Sequence, residues 1–163
     1  MSQIARTEKT PGANAARQRR LALLARAERG RLEAAWDALP QKPGYRSLKP
    51  AETGLVMLRG RAGGVGQRFN LGEMTVSRCV VALDARDGMP DALGVGYVQG
   101  RDRRKAELVA LFDALAQDES HAAHIERDLL SPIEDDLHRQ RAMRAGKVAA
   151  TKVDFFTMVR GED

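Results

Sequence analysis

The chain has 163 residues, 43% of them apolar, and its 27 lysines and arginines outnumber its 22 acidic residues for a formal charge of +5. This composition supports one compact domain and excludes wholesale disorder, and the positive charge favours anionic partners. The single cysteine, Cys79, excludes an intramolecular disulfide, a thiolate metal cluster and a CxxC redox pair.

The beginning of the chain is polar and contains no apolar segment of the kind found in secretory signals. No run of residues approaches the roughly 18 consecutive apolar residues that a membrane helix needs. We therefore expect a soluble, cytoplasmic protein with no membrane partner.

The first third of the chain predicts a tail, a helical arm and a linker. Residues 1–16 are expected to be a disordered tail, and apolar residues at helical spacing over 17–39 predict two helices separated by Gly30. Pro40 is expected to end the second helix, and the proline-rich segment 40–51 is interpreted as a linker.

The remainder, 52–163, is predicted to be the core of a single domain over 17–163. Strands are predicted at 54–59, 74–83, 93–99 and 153–159, with a hairpin loop between the second and the third. This pattern indicates an α+β fold with a mainly antiparallel sheet of about four strands.

Helices are predicted in the C-terminal half, on one face of that sheet. One follows Asp102 and carries an apolar stripe ending at Leu115. Ser131, Pro132 and Glu134 form a capping-box pattern that predicts a second helix start, and that helix is expected to end near Gly146.

The stretch 59–78 combines five glycines and four arginines with one acid, Glu73. It lacks the Gly-Lys-Ser/Thr of a Walker A loop and matches GxGxxG only in part, and a strand follows it instead of a helix. It is either an anion-binding turn whose arginines contact a ligand or a partner, or an ordinary tight turn with solvated arginines. The candidate residues are Arg59, Arg61, Gly63, Gly64, Gly66, Arg68 and Arg78.

A second basic group stands at the start of the helix after Asp102. Asp102 is a good N-cap, whereas Arg101, Arg103 and Lys105 carry the wrong charge for the positive end of a helix. Solvated side chains, a bound anion or an acidic patch on another protein would each resolve this conflict.

The histidines and the N-terminal arginines support weaker hypotheses. His121 and His124 share a helix face, but we expect them to be ordinary surface residues and predict no metal site. The arginines over 17–31 suggest nucleic acid, yet aromatics make up only 4% of the chain and the second helix is short for recognition, so a solvated face is favoured. No arrangement of catalytic residues is recognisable, so none is predicted.

The closing segment 153–161 is apolar on both faces of the predicted strand. Either the protein's own helices cover one face, or another subunit does. We predict that Asp154, Phe155, Phe156 and Arg160 contribute to a partner interface.

Three blocks of sequence occur in order: "ETGLVMLRGRAGGVGQRF" (52–69), "GYVQGRD" with "AELVALFDAL" (96–102 and 106–115), and "VDFFTMVRG" (153–161). Together they resemble the G subunit of the bacterial carbon–phosphorus lyase core complex, the PhnG family. The resemblance covers the chain from about residue 17 to its end.

The resemblance implies a role in phosphonate catabolism together with the PhnH, PhnI and PhnJ subunits and an ATPase-like PhnL. It implies that the complex transfers a phosphonate to C1′ of the ribose of MgATP and displaces adenine, and that the nucleosidase chemistry belongs to PhnI. PhnJ is implied to hold an iron–sulfur cluster and use S-adenosylmethionine. For this chain it implies no bound cofactor and no catalytic residue.

The expected function is thus that of a subunit that is not active alone. The alternatives are a basic nucleic-acid-binding or regulatory protein, or a stand-alone sensor of small anions or nucleotides. On the subunit hypothesis, most of the arginines build an interface with PhnI.

Overall fold

The computed structural model describes residues 11–84 and 92–151. The elements in these ranges are α1 (Pro11–Arg26), α2 (Arg29–Asp37), β1 (Tyr45–Arg61), β2 (Arg68–Leu83), β3 (Leu93–Gln99), α3 (Arg103–Leu115), α4 (Glu119–Ile125) and α5 (Ser131–Ala150). A 3₁₀ turn at Ala62–Gly64 joins β1 to β2, and a π-helical turn at Glu126–Leu130 joins α4 to α5.

The three strands form one antiparallel sheet in the order β1-β2-β3. With helices before and after the sheet, the predicted α+β class is confirmed. The predicted fourth strand, 153–159, lies outside the described residues. No helix in the described ranges is long and apolar enough to span a membrane.

Helix α3 packs directly on the sheet because two glycines of β3 remove the side chains that would separate them. A Cβ atom on Gly94 or Gly96 would stand 1.8 Å from a backbone oxygen of α3. The resulting core contains fully buried residues from β2, β3 and α3, with additions from α1, α2 and the turn before α5: Leu24, Leu32, Val81, Leu83, Val98, Leu108, Leu111, Phe112, Leu115 and Leu130.

The N-terminal helices are part of this domain. Helix α1 begins at Pro11, so the prediction of a disordered tail is wrong for 11–16, whereas 1–10 lie outside the described residues. The break between the helices falls at Ala27 and Glu28, and Gly30 is within α2. Helices α1 and α2 are held on the domain by Leu24, Leu32 and Trp36, which are buried in the core.

The second half of the predicted linker is strand. β1 begins at Tyr45 because residues from Val80 to Leu83 of β2 provide a hydrogen-bonding partner for it. Register shifts on both sides of Lys49 accommodate Pro50, which has no N–H to donate to the ladder. Of the three prolines that indicated a linker, Pro50 therefore marks an irregularity within a long edge strand, whereas Pro40 and Pro43 precede that strand.

The capping box predicted at Ser131 does not form. The Ser131 backbone is helical, and its hydroxyl donates to the Glu126 carbonyl at 3.0 Å. The π-helical turn leads straight into α5, so the amides there already have partners and need no cap. The helix also continues through Gly146 to Ala150.

Candidate functional site

The glycine–arginine stretch lies on a two-stranded extension of the sheet. β3 pairs with β2 only from Val76 to Ala82, whereas β1 and β2 pair with each other all the way to Arg61 and Arg68. Residues 54–75 therefore form a hairpin that projects beyond the third strand; we call this hairpin the arm.

Three glycines of the arm lie in the turn at its free end, where the backbone geometry requires glycine. Gly63 and Gly64 have φ angles of 59° and 81°, which residues with a side chain rarely adopt. A Cβ on Gly66 would lie 2.8 Å from the Ala62 carbonyl oxygen, to which the Gly66 amide donates at 3.0 Å. These glycines satisfy the backbone of a tight turn, so they do not by themselves indicate a ligand.

Three arginines collect on one face at this free end. Arg59 and Arg61 are two residues apart on β1, and Arg68 is directly opposite Arg61 on β2. Like charges at directly opposite positions destabilise a pair of strands. Within the described residues, none of the three forms an ion pair; the Arg61 guanidinium instead donates to the Gly66 carbonyl at 2.9 Å. The cluster is thus left without compensating charge.

Arg78 differs from these three because its charge is compensated. It lies in the sheet, where its Nε donates to Glu52 Oε1 at 2.5 Å and its Nη1 to the Tyr97 hydroxyl at 3.3 Å. Hydrogen bonds from Arg78 and then Lys49 lower the pKa of the Glu52 carboxyl. Of the four predicted arginines of this stretch, Arg78 is the one in the three-stranded part of the sheet.

The second basic group surrounds the start of α3. Asp102 caps the helix by accepting from the Lys105 amide at 2.9 Å, as predicted. Its carboxylate offsets the positive charges nearby, while the side chains of Arg101 and Arg103 are exposed. Lys105 is half-buried, and desolvation lowers the pKa of its amine.

The two basic groups stand at opposite ends of the arm. The Gly100 amide donates to the Thr75 carbonyl at 2.9 Å, which fixes the start of α3 to the base of the arm. Arg68 is seven residues from Thr75 along β2, a separation of about 23 Å between their Cα atoms at the usual rise per residue of a strand. The described residues do not bring both groups to one anion.

Several arginines of α1 and α2 form ion pairs within the protein. Arg17 binds Asp113 through two hydrogen bonds of 2.9 and 2.6 Å. Arg19 contacts Glu126 and Glu134, and Arg31 contacts Asp136 at 2.5 Å. Carboxylates therefore take up much of the charge that suggested nucleic-acid binding.

The histidines contact nearby carboxylates. His121 Nδ1 is 2.7 Å from Asp118, and His124 Nε2 is 3.0 Å from Asp128. Hydrogen bonds from Ser120 and His121 hold the pKa of Asp118 at about 2. No group of three metal-binding side chains occurs in the described parts of the chain.

The predicted interface residues Asp154, Phe155, Phe156 and Arg160 lie outside the described residues, and their role stays a prediction. The sequence reasoning missed the apolar residues of the arm, among them Leu55, Met57, Leu58 and Leu71, which are exposed. For three of them the sequence signal is the continuous apolar run "LVML" within the strand predicted at 54–59, and such a run does not show whether the strand is buried or exposed on both faces.

The chain is similar to known proteins. Residues 15–161 match the family model described as phosphonate metabolism protein PhnG. The chain is also 45% identical, over all 163 residues and the full length of both proteins, to the alpha-D-ribose 1-methylphosphonate 5-triphosphate synthase subunit PhnG of Rhizobium meliloti (strain 1021).

Proposed function

The chain belongs to the PhnG family of phosphonate metabolism proteins, and from this premise we propose that it is a subunit of ribose 1-methylphosphonate 5-triphosphate synthase that is inactive alone. In the assembled enzyme it helps transfer a phosphonate to C1′ of the ribose of MgATP, with displacement of adenine. The groups that make and break bonds belong to other subunits.

The exposed surface of the arm supports this proposal most strongly. The arm exposes apolar side chains and ends in three arginines that form no ion pair with the described residues. Monomeric soluble proteins rarely expose such surface, and its presence marks a contact with another molecule. In a subunit of a multi-subunit synthase, that molecule is another subunit.

The proposed partners are the PhnH, PhnI and PhnJ subunits, with the ATPase-like PhnL as a further component. MgATP is the substrate of the complex, and this chain needs no bound cofactor for its part. The iron–sulfur cluster and S-adenosylmethionine belong to PhnJ, which breaks the carbon–phosphorus bond afterwards.

The arginines at the free end of the arm are assigned to the interface and not to the triphosphate. Arg61 already donates to the turn, and the basic group at α3 is about 23 Å from Arg68 by the rise of a strand, so the two groups do not converge on one phosphate. Carboxylates of a neighbouring subunit would remove the repulsion between Arg61 and Arg68.

The test is phosphonate-dependent release of adenine from MgATP by purified subunits. We expect no release by this chain alone, full release when it is combined with PhnH, PhnI and PhnL, and loss of the phosphonate dependence when it is omitted. Release by the lone chain, or unchanged phosphonate-dependent release without it, would contradict the proposal.

A further inference from the structure

The arm has two faces of different chemistry, which follow from the pairing of β1 with β2. Thr53 is opposite Ser77, whose hydroxyl donates to Gly100 beside α3, so this face is the helix side. Alternation along β1 places Leu55 and Met57 on the helix side and Val56 and Leu58 on the opposite side.

The helix side of the arm exposes Leu55 and Met57 near its base, where Glu73 lies directly opposite Met57, and it is cationic at its free end. Leu55 is 60% and Met57 50% exposed, because α3 does not reach this far along the ribbon. The next positions on the same face are Arg59 and Arg61, with Arg68 across from Arg61. A molecule that covers this side must therefore offer apolar groups to Leu55 and Met57, a hydrogen-bond donor or cation to Glu73, and carboxylates to the arginines beyond.

The opposite side of the arm is apolar along its whole length. Phe69 is paired with Gly60, and Leu71 lies over Gly60, where a Cβ would come within 2.6 Å of a Leu71 methyl group. Phe69 and Leu71 are 47% and 61% exposed, and with Val56, Leu58 and Met74 they form a surface without a charged residue.

A ribbon of two strands is marginally stable in water unless apolar surface on it is covered. The arm has such surface on both sides, and neither side is covered by the described residues. Docking of one face on a flat surface would leave the other apolar face in water. Insertion into a cleft covers both.

We infer that the arm inserts into a cleft of another subunit of the synthase, with apolar walls against both faces and carboxylates at the depth reached by Arg59, Arg61 and Arg68. This inference rests on the proposed function. A second copy of this chain fits less well, because the chain carries a formal charge of +5 and two copies repel each other.

The test compares three double variants, each co-expressed with the other subunits. Leu55→Ser with Met57→Ser alters the helix side, and Leu58→Ser with Leu71→Ser alters the opposite side. Met143→Ser with Val148→Ser is the matched control, since these residues of α5 are 62% and 70% exposed and lie outside the arm.

We expect each arm variant to weaken association with the partner subunit by at least about tenfold, as loss of buried interface anchors does. The control should associate like the natural chain, and all three isolated variants should keep its melting temperature because the altered side chains are exposed. In the complex, amide hydrogen exchange should slow on both strands of the arm.

If only one of the two arm variants weakens association with the partner subunit, the arm docks by one face on a flat surface and the inference is wrong. If neither variant weakens association, the arm is not part of the interface. A dimer of the isolated chain that both arm variants dissociate would make a second copy the occupant and overturn the inference. If the natural chain joins no other subunit, the proposed function itself fails. If it does join them and the arm variants behave normally, only the inference fails.

Discussion

Asp113 is the residue on which the attachment of α1 most depends. Its side chain is fully buried, and it accepts hydrogen bonds from Arg17 and, at 3.0 Å, from the Val95 amide. Arg17 also donates to the Leu93 carbonyl, so one ion pair joins α1, β3 and α3. The hydrogen bonds that Arg17 donates to the Asp113 carboxylate raise the pKa of Arg17, which remains charged.

We predict that Asp113→Ala lowers the free energy of unfolding by about 3–5 kcal/mol, because it leaves a partly buried guanidinium without its partner. Urea denaturation measures the change. Arg19→Ala is the matched control: Arg19 lies on the same helix but its ion pairs are exposed, so the loss should stay below about 1 kcal/mol. Equal losses in the two variants would contradict the role given to Asp113.

At the scale of elements, the contact between β3 and α3 determines how the sheet and the helices fit together. A Cβ on Gly96 would lie 1.8 Å from the Ala106 carbonyl oxygen, a distance that only a shift of the backbone can relieve. We predict that Gly96→Ala destabilises the protein by about 3 kcal/mol or more, at the upper end of the cost of overpacking.

Thermal and urea unfolding of Gly96→Ala are compared with those of Gly54→Ala. Gly54 is also a strand glycine, but it has open space where a Cβ would stand. Its replacement should change stability by less than about 1 kcal/mol. A Gly96→Ala protein as stable as Gly54→Ala would show that α3 can move away from the sheet without cost.

The elements that the sequence predicted best carry their own local signals. Helix α3 has both an apolar stripe and a capping aspartate, and it begins at Arg103 right after the Asp102 cap. The strand at 45–51 was missed because Pro50, together with Pro40 and Pro43 before the strand, is typical of a linker, and only pairing with β2 reveals it. Likewise, the arm exists because β3 stops at Gln99, which no local pattern in β1 or β2 could indicate.

At the scale of the whole molecule, the positive charge is divided into compensated and uncompensated parts. Arginines of α1 and α2 contact carboxylates of α3, α5 and the π-helical turn, whereas those at the end of the arm contact none among the described residues. The sequence could predict the excess of charge and the turn, but not this division, since ion pairs between distant segments depend on the tertiary fold.

The central claim is that the arm acts on a partner subunit and not on the substrate. The measurement that tests it most directly is titration of the triple variant Arg59→Ala, Arg61→Ala, Arg68→Ala into the remaining synthase subunits, with adenine release as the readout. We predict that half-saturation requires about tenfold more variant than natural chain, while the rate at saturation stays within about twofold. A saturated rate lower by a factor of about 100 would show that these arginines act in the chemical step, and would contradict the account.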